Sequence, residues 1–179
     1  MPSRILPIQD MAERHSGLTP AIAGYLTEAA SVCLARHHAS PVEFDISDSV
    51  EVMIAIAHWV APDRRTINAH ANEIDATEIG ACACVLAAVE LTHEFVAVRR
   101  AETQTGADYY IAPIGEDPDD LEGCYRLEVS GVDRGNRNSV KSRLREKIQQ
   151  TKSGSCNLPA FAGVVGFNER LILLSLVND

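Results

Sequence analysis

From residue 66 to residue 168 the apolar pattern changes period in a fixed order: helical, then strand-like three times, then helical, then strand-like. Residues 66–92 read as one long helix whose apolar stripe passes through Ile67, Ala71, Ile74, Ala81, Cys82, Val85 and Val89. Strand-like runs follow at 95–99, 108–114 and 125–132. Turn residues separate them: Gly106, and the stretch from Gly115 to Gly123 that holds Asp117, Pro118, Asp119 and Asp120. Residues 139–151 return to helical spacing on Val140, Leu144 and Ile148, and 160–167 is a continuously apolar strand. The order is α-β-β-β-α-β, which makes the chain mixed α/β (α+β) in class.

The flanks add a helix and extra strands. Thr19 is placed to cap a helix with Pro20 at its first position, and Ile22, Tyr25, Leu26, Ala29, Val32 and Cys33 recur at helical spacing towards His37 and His38. The two histidines fit partners for the negative end of that helix. Residues 42–47 alternate as a strand with Val42, Phe44 and Ile46 on one face, and 50–60 give a second strand ending near Trp59. Its centre, Met53-Ile54-Ala55, also fits a helix. Residues 171–177 form a last apolar strand. A length of 179 residues suits one domain with a real core. Its parts are an N-terminal helix and strands (1–65), a central core (66–168) and a trailing strand (169–179).

Several classes of function drop out early. At 46% hydrophobic and 23% charged residues, the chain is neither disordered nor membrane-like, and no apolar run reaches the roughly 20 residues that span a bilayer. Residues 1–11 contain Asp10 and no long apolar stretch, unlike a secretory signal, so a cytoplasmic protein is expected. The 5 cysteines have no framework spacing and read as reduced thiols. Cys82 and Cys84, about 200° apart around a helix, suit small buried hydrophobes better than a shared metal. The 6 histidines show no HExxH spacing, and the glycines form neither a GxGxxG motif nor a P-loop.

Charge and acid placement carry more information. Between Arg134 and Lys152 lie Arg134, Arg137, Lys141, Arg143, Arg145, Lys147 and Lys152 against Glu146 alone, so that window is +6 while the total is −9. It reads either as a solvated helix face or as a strip that contacts phosphates, with Lys141, Arg143 and Lys147 as the candidate nucleic-acid contacts. Glu78 falls four residues after Ile74 and three before Ala81, on a stripe meant for the core. A carboxylate there either pairs or binds a cation, or sits at the stripe's edge and reaches water. In the strand at 125–132, Arg126, Glu128 and Ser130 share one face while Leu127 and Val129 take the other.

The element order, with Glu78 on the first helix, Asp108 in Gly-Ala-Asp-Tyr-Tyr and Glu128 in Arg-Leu-Glu-Val-Ser-Gly, resembles the core of the PD-(D/E)xK nuclease superfamily, the restriction-endonuclease-like enzymes. The basic, glutamine-bearing helix Arg143-Leu-Arg-Glu-Lys-Ile-Gln-Gln150 is similar to the second helix of some members. The stretch as a whole is similar to small uncharacterised bacterial proteins. The resemblance implies a three-layer restriction-endonuclease-like core, with Glu78, Asp108 and Glu128 as metal-binding and catalytic acids. It also implies Mg²⁺ as cofactor, held between a water and a phosphate oxygen of DNA or RNA. The family lysine, two residues after the strand glutamate, is Ser130 here. Serine has neither the charge nor the reach, and Lys147 or Arg143 of the following helix would have to supply them. Two functions stay open: a divergent nuclease, and a non-catalytic interaction subunit. The second would bind a protein partner in a bacterial assembly such as a defence or toxin–antitoxin system.

Overall fold

The computed structural model describes residues 4–49, 51–117, 119–154 and 156–177. Val50, expected to open a strand, Pro118, expected in a turn, and residues 1–3 lie outside the described residues. The elements are β1 (Arg4–Leu6), α1 (Met11–Arg14), α2 (Pro20–His37), β2 (Val42–Ser47), β3 (Val52–Ala57), α3 (Arg64–Ala69) and α4 (Glu73–His93). They continue with β4 (Phe95–Arg100), β5 (Tyr109–Pro113), β6 (Tyr125–Val132), α5 (Arg137–Lys152), β7 (Ala160–Gly166) and β8 (Leu171–Val177).

All eight strands form one mixed sheet in the order β1-β3-β2-β8-β7-β6-β5-β4. The strands β4, β5 and β6 are an antiparallel meander, and β7 returns parallel to β6 after α5 has crossed between them. The strand expected to trail the core does not trail. β8 lies inside the sheet, antiparallel to β7 and parallel to β2, and it joins the meander half to β1, β2 and β3. Its sequence Leu-Ile-Leu-Leu is apolar on both faces because both faces of an interior strand are covered.

The helix expected over 66–92 is two helices. Asn72 accepts hydrogen bonds from the backbone N–H groups of Ile74 and Asp75 and so starts α4 afresh. Ile67 and Ile74, assigned to the buried stripe, are exposed; they matched the helical period but precede the part of α4 that meets the sheet. From Ala76 to Val89 that helix is buried almost all round, between α2 on one side and the sheet on the other. Small residues permit the fit. A Cβ on Gly80 would stand 2.9 Å from the Ala30 backbone of α2, and one on Gly131 of β6 would stand 2.7 Å from the Thr77 carbonyl oxygen.

On the opposite face α5 packs over β6, β7 and β8. Val140 sits on Val164, Leu171 and Leu173, while Leu144 and Ile148 reach Ala160, Ala162 and Val177, which is the expected four-residue stripe. Thr19 caps α2 as expected, its side chain accepting from the Ile22 N–H at 3.3 Å. The paired histidines at that helix's end do more than face its dipole: His37 contacts Asp133 at 2.9 Å and His38 the Phe167 carbonyl at 2.8 Å. Both tie α2 to the far end of the meander half.

Candidate functional site

β5 and β6 part company at Asp108. The ladder between them ends at the Tyr109–Leu127 pair, whereas β6 runs on to Val132 bonded only to β7. Asp108 spans the opening of this fork. Its backbone N–H donates to the Leu127 carbonyl at 2.8 Å, and its Oδ2 accepts from the Val129 N–H at 2.9 Å, replacing the strand bond that β5 no longer makes. Asp108 thus lies just ahead of the strand in which it was expected. Arg100 holds it from the other side, with Nη1 2.6 Å from the Asp108 carbonyl and 3.3 Å from Oδ1.

Glu128 follows one residue after Leu127 and points to the α5 face. Its Oε1 accepts from the Lys147 ammonium at 2.8 Å, and both side chains are largely buried, at 13% and 16% exposure. Burial pushes the Glu128 carboxyl above the ordinary carboxylate range. The Lys147 hydrogen bond opposes that rise, and the negative charges of Asp108 and Glu78 add to it. Glu78 comes from α4. It is exposed, not buried, and its Oε1 accepts from the Ser130 hydroxyl at 3.1 Å. The half-buried Cys82 thiol sits among the same charges. It is pushed up by burial first, then by Asp108, Glu78 and Glu128, with Arg100 opposing.

Three carboxylates therefore neighbour residues 128–130, each anchored by its own donor. Among the described residues no three His, Cys, Asp or Glu side chains close into a ready-made metal cluster. Carboxylates and waters are the donor chemistry that a hard divalent ion takes, and Mg²⁺ is commonly held through one or two such side chains. The acids also raise Glu128 against one another, which a cation would relieve.

Arg143, one turn before Lys147 on the same flank of α5, borders a cleft with Glu78, Gly131, Asp133 and Arg134, and pairs with Glu146 at 3.2 Å. Lys141 is exposed about 200° around the helix from Arg143, so the three basic residues do not make one surface. Arg100, Tyr109 and Tyr25 were not among the sequence candidates. Arg100 and Tyr109 stand opposite each other across the β4–β5 hairpin, a register visible only once the strands are paired.

Comparison with protein-family models, with curated proteins and with solved structures returns no match.

Proposed function

We propose that this protein is a divergent Mg²⁺-dependent nuclease whose α4–β7 segment is a PD-(D/E)xK-like core. One observation carries the reading: the Lys147 ammonium lies 2.8 Å from the Glu128 carboxylate, beside the fork that Asp108 spans. A cation thus stands next to the strand glutamate although the residue two positions on is Ser130. The order α4-β4-β5-β6-α5-β7, with its antiparallel meander and parallel return, supports the same reading.

In this reading Glu78, Asp108 and Glu128 would hold the ion. Bound Mg²⁺ would supply Lewis-acid contact to a phosphate oxygen and acidify a water. The chain's own groups do the rest. Lys147 opposes the rise that burial gives the Glu128 carboxyl and offers positive charge where charge develops on the phosphate. Arg100 and the Val129 N–H fix the Asp108 carboxylate so that it does not reorganise on binding.

The test is cleavage of single- and double-stranded DNA and of RNA with Mg²⁺ or Mn²⁺ and after chelation. Glu128→Gln and Lys147→Met should each lower cleavage by about 100-fold or more. Adding Ser130→Lys to Lys147→Met should restore part of it, because a side chain two residues along β6 returns to the same face as Glu128. Wild-type cleavage that survives chelation or Glu128→Gln would refute the site.

A second reading, an interaction subunit, has an observation of its own. Ile5, Val52 and Ile54 are 61%, 71% and 53% exposed on the β1–β3 end of the sheet, where apolar surface suits a protein partner. Absence of cleavage on every substrate would favour it.

A further inference from the structure

We propose that the apolar cleft beside Asp108 receives a single unstacked nucleobase, so that the substrate is a single strand or a locally opened one. This rests on the nuclease reading and narrows its substrate class. The cleft has a volume of about 440 Å³, in the range of about 300–1,000 Å³ that takes small flat ligands. Its apolar wall comes from Ile22, Tyr25 and Leu26 of α2 and Ile79 of α4, and its polar rim is Glu78, Asp108 and Arg100. Two of the three rim residues, Glu78 and Asp108, are also proposed metal-binding acids, and Val129, whose N–H holds Asp108, lies in the lining. A base in the cleft therefore puts its own phosphate at the fork.

Three further observations select a base over other apolar ligands. Tyr25 lines the cleft from a helix surface and is 49% exposed, with Ile22 beside it at 45%. Large apolar groups left in water at the mouth of a charged site gain from covering, and a ring gains most from a flat π face. Tyr109, also in the lining, carries the Arg100 guanidinium 4.9 Å above its ring, so cation and aromatic face meet at the polar end. Arg100 is 61% exposed and supplies the positive charge that a strand's phosphate needs there. In a duplex the base stays in its stack and cannot enter without being flipped out, which costs a few kcal/mol in general. The wall offers few hydrogen-bonding groups, so little preference among the four bases follows.

The experiment uses the full chain carrying Glu128→Gln, with Mg²⁺ present. Binding is followed on short DNA and RNA oligonucleotides, single-stranded and duplex, each with one 2-aminopurine whose fluorescence falls on stacking. Single strands of either sugar should bind more tightly than the duplex and quench the probe. Tyr25→Ala should weaken single-strand binding about tenfold and abolish the quench, while Tyr25→Phe keeps both. Tyr25 is 49% exposed and its ring also lies 5.5 Å from that of buried His70, so thermal melting of Tyr25→Ala checks that the fold is kept. Duplex binding as tight as single-strand binding, or a quench untouched by Tyr25→Ala, overturns the base pocket and leaves the nuclease reading standing. No binding to any nucleic acid, together with no cleavage by the wild type, overturns both.

Discussion

His15 shows how a single side chain can fix an edge of the sheet. It is fully buried, and its Nδ1 accepts the Ala97 backbone N–H at 2.9 Å. The neutral ring must therefore carry its proton on Nε2, which lies 3.0 Å from Glu90 Oε2. Gly17 completes the cover by donating its N–H to the Ala97 carbonyl at 2.8 Å, and a Cβ there would stand 2.5 Å from the Val98 and Arg99 backbone. Both polar groups of an edge-strand residue, at the irregular step in β4, are thus taken up by residues 15–17. Burial lowers the His15 pKa from its model-compound value of 6.5, with Glu90 opposing. The unfolded chain then takes up a proton before the folded one does, so His15 contributes stability above pH 6.5 that is lost as pH falls below it. His15→Gln should cost about 2 kcal/mol at pH 8 and flatten the fall of the denaturation midpoint between pH 6.5 and 5. A slope unchanged by the substitution would show that other groups control it. None of this was legible from the sequence, where His15 carries no motif and its partners lie 75 and 82 residues away.

At the level of elements, legibility followed how local the cause was. Strands 42–47, 125–132 and 171–177 are read correctly because alternation or an unbroken apolar run belongs to the strand itself. The break before α4 was hidden because Ile67, Ala71 and Ile74 keep the helical period by chance, while the deciding signal is one capping side chain, Asn72. β1 and α1 span only 3 and 4 residues and leave too short a pattern to detect. The site divides the same way. The order of the acids and the basic helix can be seen in the chain, but the fork depends on where β5 leaves β6, and no local residue encodes that. Arg126 makes the point physically. Expected on the polar face of its strand, it is 6% exposed and donates to the carbonyls of Leu158, Thr105 and Thr151 at 3.0, 2.9 and 3.1 Å. It fastens the C-terminal end of α5 and two loops to β6, so the helix that carries Lys147 is held at one end by Arg126. Arg126→Leu should cost about 3 kcal/mol, since three carbonyls lose a charged donor. A chemical denaturation curve measures this, and a change below about 1 kcal/mol would mean that water replaces the guanidinium without loss.

Across the whole molecule the decisive feature is the place of β8. The core expected over 66–168 stops short of it, yet β8 pairs with β7 along its full length and supplies Leu171 and Leu173 to the layer under α5. A fragment of residues 66–168 should therefore lack a cooperative melting transition and should associate through the bared edge of β7. Circular dichroism and size-exclusion chromatography decide this, and a monomeric fragment with a sharp transition would prove the core autonomous. The same placement bears on biosynthesis. β8 follows in the chain every strand it touches, so until it is inserted β2 and β7 have no partner along the edges that it fills. The interval before that insertion is when the newborn chain is most exposed to edge-to-edge association, and when a chaperone would have most to protect.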